Sequence, residues 1–161
     1  MTRILKDLIR IMNNDYWSYN EIISATKEEK EEHLNYEIWM FRKICDQLNQ
    51  PSETQFKRNL LLESLPAHTR ILIEFFYNDK HEKRPNDLIA QDFLADSIDW
   101  KNERPPITEL LNEAKNKADK QLAHLSLWRV KIEKDNKKIW DWNSIKRDME
   151  EIIKKFEFLK K

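Results

Sequence analysis

The chain contains no glycine among its 161 residues, and Val130 is its only valine. Tight hairpin turns require residues that tolerate positive φ, chiefly glycine, and strands favour β-branched residues. A sheet-rich domain and a glycine-rich phosphate loop are therefore both disfavoured. Glutamate, lysine, leucine and isoleucine dominate instead, which is typical of helices. We predict an all-α protein.

The length and composition predict one domain, residues 1–161. Hydrophobic residues make up 40% of the chain, which is enough for a packed core. We expect a single antiparallel bundle of four to five main helices plus short helical segments, with residues 1–50 forming the N-terminal helices. No stretch is long and apolar enough to span a membrane, and the first residues lack an apolar signal core, so we expect a cytoplasmic protein.

Apolar residues at helical spacing define the expected helices. They span Thr2–Asn13, Ser18–Ile23, Thr26–Leu48, Ser52–Asn78, Pro85–Leu94, Ile107–Ile132 and Asn143–Leu159. The fourth of these has two apolar stripes and should lie at the centre of the bundle. The stripes are Phe56, Leu60, Ala67, Ile71, Phe75 and Leu61, Leu65, Leu72, Phe76. Pro66 predicts a kink or a break within it.

The sequence also predicts capping boxes and buried stripes. Thr26 with Glu29 and Ser52 with Gln55 are the capping-box candidates. The inner stripe of the helix from Thr26 is Leu34, Ile38, Phe41, Ile44 and Leu48, with Trp39 and Met40 widening the contact. The stripe of the last helix is Ile145, Met149, Ile152, Ile153 and Phe156. Ile98 and Trp100 should anchor an irregular connection over residues 96–106.

Positive charge is concentrated in the last third of the chain. Residues 115–161 hold 14 basic and 8 acidic side chains, although the whole chain has a formal net charge of zero. Lys115, Lys117 and Lys120 are candidates for phosphate or RNA contact. The alternative is a solvated helix exterior, which the neutral overall charge favours.

Two histidines are candidates for catalysis. His68 continues an apolar stripe, and His124 lies in the least charged run of the chain. An imidazole acts as a general acid or base near neutral pH, and Arg70 could hold a phosphate beside it. The alternative for each histidine is a hydrogen-bonded packing role.

The sequence gives no indication of a metal or cofactor site. Cys45 is the only cysteine, which excludes an internal disulfide and a cysteine-cluster zinc site. Glu-x-x-His spacing is absent, so a carboxylate-bridged di-metal bundle is not expected.

Two segments resemble bacterial HEPN-like proteins. The sequence NKADKQLAHLS at residues 116–126 resembles their Asn- and Lys-rich helix, and residues 59–76 resemble their apolar central helix. The resemblance covers about residues 55–158. It implies that residues 52–159 form a HEPN-like helical core, that the protein forms a homodimer, and that it binds or cleaves RNA without a metal in a toxin–antitoxin or phage-defence system.

The motif of this family is an arginine and a histidine separated by four to six intervening residues. Counting back from His124, the three corresponding positions are Asp119, Ala118 and Lys117. Lysine supplies charge but not a planar two-point contact with phosphate. Two interpretations stay open. The protein is a non-catalytic relative, an adaptor that dimerises or binds a partner protein, or its catalytic cleft combines Arg70 with His68 and His124.

Overall fold

A computed structural model describes residues 25–51, 54–79, 87–122 and 140–160, with side chains to residue 119 in the third range. These ranges contain helices and no strand, which confirms the all-α prediction. The α-helices are α1 (Lys27–Leu48), α2 (Gln55–Tyr77), α3 (Trp100–Glu103), α4 (Glu109–Leu122) and α5 (Trp142–Leu159), with a 3-10 turn at Ala90–Phe93. None of them is long and apolar enough to cross a membrane. The helices predicted before residue 25, and the continuation of α4 towards Ile132, lie outside the described residues.

The chain divides into two compact units, Met1–His33 and Leu34–Lys161. The described part of the first unit is the start of α1. There the Thr26 amide donates to Glu29 Oε2 at 2.9 Å, and the Glu29 amide donates to Thr26 Oγ1 at 3.2 Å. This reciprocal arrangement is the predicted capping box, and it satisfies two amides that have no partner within the helix.

In the second unit, α1 buries the stripe that its spacing predicts. The buried residues of this helix are Leu34, Ile38, Phe41, Ile44, Cys45 and Leu48. On another side of α1, Arg42 donates two hydrogen bonds to Glu150 of α5, at 2.6 and 2.8 Å. This pairing raises the pKa of the arginine and lowers that of the glutamate.

Helix α2 begins two residues later than the predicted cap at Ser52. Thr54 is the N-cap, and its hydroxyl accepts from the Lys57 amide at 3.1 Å. The helix then continues through Pro66, which is buried, so of the two outcomes predicted there the break is wrong and the kink stays a prediction. Leu65, Leu72 and Phe76 of the second predicted stripe are buried.

The segment after α2 returns the chain to the core. A helix was predicted over Pro85–Leu94, but only the 3-10 turn forms within the described part of it. The indole of Trp100 is buried and donates to the Phe76 carbonyl at 2.7 Å, and Arg104 donates to the same carbonyl at 3.0 Å. Trp100 therefore fixes this irregular connection, as the sequence predicts.

Helices α4 and α5 complete the bundle. The Thr108 side chain caps α4 and donates to Asp148 of α5 at 2.8 Å. Leu111, Ala114 and Ala118 form the buried side of α4, which packs mainly against α2. The predicted stripe of α5 is buried at every position, namely Ile145, Met149, Ile152, Ile153 and Phe156. Phe156 sits among the rings of Phe75, Phe76, Phe93 and Trp100, with centroids 5.5 to 6.3 Å away.

Side chains also join the turn after α1 to the start of α5. The Trp142 indole donates to Asn49 Oδ1 at 2.8 Å, and the Asn49 amide donates to Asn143 Oδ1 at 2.9 Å. The Arg58 guanidinium lies over the Trp142 ring, 5.4 Å from its centroid. These contacts fix the start of α2 relative to α1 and α5.

Candidate functional site

His68 lies on the side of α2 that faces α1. Its Nδ1 is 2.7 Å from Glu37 Oε2, and its ring meets the Tyr36 ring edge-on with centroids 6.4 Å apart. A carboxylate accepts hydrogen bonds, so in the neutral imidazole this pairing places the proton on Nδ1 and leaves Nε2 as an acceptor. An imidazole held in this way can exchange a proton at Nε2. No local sequence pattern indicates Glu37, because it precedes His68 by 31 residues.

Arg70 contacts a different helix. Its Nε lies 2.8 Å from Asp119 Oδ1 of α4 and 3.1 Å from Glu74 Oε1, one turn further along α2. Two carboxylates therefore surround one guanidinium, which disfavours the approach of a phosphate. Arg70 and His68 therefore have different partners. Arg70 contacts Asp119 of α4, whereas His68 contacts Glu37 of α1.

Lys117 is directed towards an aromatic ring. Its Nζ lies 4.8 Å from the centroid of the buried Trp140 ring. Burial lowers the pKa of this lysine, and the nearby Glu113 partly opposes that effect. Such a cation–π contact stabilises the end of α4 beside the start of α5.

Lys115, Lys120 and His124 are the remaining candidates from the sequence. Lys115 is partly buried on α4. The side chain of Lys120 and the whole of His124 lie outside the described residues. Among the described candidates, His68, Arg70 and Lys117 each contact a different partner.

A depression of about 400 Å³ lies where α2 ends, beside α3. Several of its polar side chains already have partners. Asp79 is 2.8 Å from both Lys101 and Arg104, and hydrogen bonding to Lys101 is the main reason that the pKa of Asp79 is lowered. Gln91 bonds the backbone of Ile98 and Trp100. Among the described residues, no group of three or more metal-ligating side chains occurs.

Five large apolar side chains are exposed on α1 and α2. We refer to these five side chains together as the α1–α2 outer surface. They are Tyr36 (49% exposed), Trp39 (53%), Phe56 (72%), Leu60 (52%) and Ile71 (45%). The Tyr36 and Trp39 rings are neighbours, with centroids 6.2 Å apart, and Tyr36 in turn contacts His68 of α2.

Helical periodicity did not predict this surface. Phe56, Leu60 and Ile71 belong to the first predicted stripe of α2, of which Phe75 is buried. Trp39 was expected to widen the buried side of α1 and is exposed instead. The sequence did contain an indication of these exposed side chains: the apolar residues of α2 span a wider arc than one neighbouring helix covers.

Comparison with known proteins identifies no relative of this chain. No protein-family model matches the chain, and neither a curated protein nor a solved structure matches it.

Proposed function

We propose that the protein is a non-catalytic helical adaptor that binds protein through the α1–α2 outer surface. The observation that carries this proposal is the exposure of Tyr36, Trp39, Phe56, Leu60 and Ile71. Scattered exposed apolar residues are ordinary, but Phe56, Leu60 and Ile71 share one side of α2, and several large apolar side chains on one side of a helix are typical of an interaction site. Aromatic side chains are also enriched where protein interfaces gain most of their binding energy.

The state of the candidate catalytic groups supports the same proposal. Arg70 is held between two carboxylates, and Lys117 lies over Trp140. Both cations thus contribute to the packing of α4. This favours the interpretation of the chain as a non-catalytic relative of RNA-cleaving proteins.

Site-specific photo-crosslinking tests the proposal. A benzophenone amino acid is placed at Phe56 in cells, and Phe158 of α5, which is 70% exposed and lies outside the surface, is the matched control position. We expect a discrete protein adduct from position 56 and none from position 158. Equal labelling at both positions, or no adduct at position 56, contradicts the proposal.

A second candidate is a metal-independent endoribonuclease, which the Glu37–His68 pair and the resemblance to HEPN-like proteins favour. Glu37 would orient the imidazole while Nε2 takes the proton of a ribose 2′-hydroxyl. The test is cleavage of a mixed RNA pool in EDTA by the wild type, His68→Ala and His124→Ala, with the exposed His33→Ala as control. Cleavage lost in either of the first two variants and kept in the control supports a ribonuclease. If the folded wild type does not cleave RNA, the ribonuclease proposal is refuted and the adaptor proposal remains.

A further inference from the structure

We propose that the partner of this protein is a basic amphipathic helix, which lies along the outward side of α2 with its apolar residues against Phe56, Leu60 and Ile71. We call these three exposed side chains the outer row of α2. The inference rests on the proposed function, because it specifies the chemistry of the protein that the adaptor binds. Three features support it: the position of the outer row, the small residues within it, and the negative charge beside it.

The outer row of α2 lies between the two sides of the helix that contact neighbouring helices. His68 marks the side that faces α1, to which it is hydrogen-bonded, and Arg70 marks the side that faces α4, to which it is ion-paired. Successive helical residues are turned by about 100°, which places all three residues of the row between these two directions. The row extends for about 22 Å, or four helical turns. A partner helix of similar length can therefore contact the whole row.

Small side chains interrupt the outer row in its middle. Ser64 follows Leu60 by four residues, and Ala67 precedes Ile71 by four, so both lie on the same side of α2. A large side chain of a second helix can fill the gap that they leave, as the ridges of one helix fill the grooves of another. The Ser64 hydroxyl already donates to the Leu60 carbonyl at 2.8 Å, so its proton stays bonded when the gap is filled.

Negative charge borders the outer row on the side of α4. Arg70 lies between Glu74 and Asp119, at 3.1 and 2.8 Å, so one guanidinium faces two carboxylates. The three side chains together are therefore negatively charged. Glu63 is exposed three residues after Leu60 and adds a further carboxylate to the same side.

A carboxylate also lies on the side that faces α1. Glu37 contacts His68 at 2.7 Å, and its side chain is 23% exposed. Among the nearby cations that the structure describes on α2, Lys57 borders only the start of the row, and Arg58 lies over Trp142 on another side of the helix. The charge beside the row is therefore mainly negative beyond its first turn.

A basic amphipathic helix complements each of these features. Its apolar residues, at every third or fourth position, match the spacing of the outer row. Lysine and arginine at its flanks meet the carboxylates on both sides of the row, and their methylene chains cover apolar surface. An acidic helix of the same shape would bring like charges together at the same positions.

Binding of two synthetic peptides to the full chain tests the proposal. Both peptides have leucine at every third or fourth position over about 18 residues, which is long enough to cover the outer row. One carries lysine at the other positions, and the second carries glutamate. We expect fluorescence anisotropy to show about tenfold tighter binding of the lysine peptide at low salt. This preference should fall in about 1 M salt, where the Debye length is about 3 Å.

Matched variants determine whether the peptides bind at the outer row. Leu60→Ala should weaken the binding of both peptides about fivefold, whereas Phe158→Ala, at an exposed position of α5, should leave it unchanged. Glu63→Lys should reduce the preference for the lysine peptide about fivefold, because it replaces an attraction by a repulsion. The same change at the exposed Glu151 of α5 should alter the preference by less than about twofold.

Three results overturn the basic helix as the partner. They are equal or weaker binding of the lysine peptide relative to the glutamate peptide, no binding of either peptide by the folded wild type, and an equal effect of Glu63→Lys and Glu151→Lys. If the peptides fail but position 56 forms an adduct with a different protein, the basic helix is refuted and the adaptor function remains. An adduct that joins position 56 to the same chain or to a second copy also refutes the basic helix. If peptide binding and the adduct are both absent, both proposals are refuted.

Discussion

Thr69 lies on the buried side of α2, and its hydroxyl finds no hydrogen-bond partner among the residues that the structure describes. Its exposed fraction is 0%, so the hydroxyl is not in contact with bulk water. A buried polar group without a partner destabilises the folded state by about 1–3 kcal/mol. Valine has nearly the same shape and is also β-branched, so Thr69→Val removes this penalty and keeps the packing and the χ1 restriction of the helix.

The expected result is stabilisation of the folded state by about 1–2 kcal/mol, since the new methyl group also gains from burial. For a chain of this size that raises the melting temperature by about 3–6 °C. Urea and thermal denaturation, followed by circular dichroism, measure both quantities. Thr69→Ser is the matched control, because it keeps the hydroxyl and loses the methyl, and it should destabilise the protein.

A lower free energy of unfolding for Thr69→Val than for the wild type would refute this reasoning. It would mean that the hydroxyl has a partner in solution, such as a buried water or the carbonyl one turn earlier. The opposite signs expected for valine and serine separate this outcome from a general effect of mutation at the site.

Three further predictions concern the core and its charged edge. Phe156→Ala should cost about 3–5 kcal/mol of unfolding free energy in urea titrations, whereas Phe158→Ala, exposed on the same helix, should change it by less than about 0.5 kcal/mol. The hydrogen bond from Arg42 lowers the pKa of Glu150 in the folded state. The pair therefore stabilises the fold at a pH above the normal glutamate pKa, and this stabilisation is lost as the pH falls through the lowered pKa. The difference in unfolding free energy between the wild type and Glu150→Gln, measured by urea titration, should shrink in acid. Burial raises the pKa of Cys45 to about 12, so a thiol reagent at neutral pH should label the native protein only as fast as it unfolds, and rapid labelling without unfolding would contradict the structure.

Helices with a single apolar stripe were predictable from the sequence. In α5 every residue of the predicted stripe is buried, and in α1 the stripe from Leu34 to Leu48 is buried as well. Periodicity identifies the buried side of such a helix because only one side is apolar. The capping box at Thr26 was also predictable, since both of its partners lie within one turn.

The predictions failed where the answer depends on distant neighbours. The two stripes of α2 are almost equally apolar, and the packing of α4 and α5 decides which one is covered. Pro66 does not break the helix because the buried contacts of Leu65 and Leu72 stabilise both halves. Likewise, the partners of His68 and Arg70 lie on α1 and α4, and the sequence does not indicate that Glu37 and Asp119 approach them.

The Phe76 carbonyl, which accepts from both Trp100 and Arg104, belongs to the last turn of α2, where carbonyl groups have no partner within the helix. The groups that satisfy it come from a segment 24 and 28 residues later in the chain. The Phe76 carbonyl therefore gains these partners only when that segment docks, and the last turn of α2 and the segment should open and close as one cooperative unit in hydrogen exchange. The indole proton of Trp100 reports this event directly, because its protection from exchange requires the end of a helix that it does not belong to.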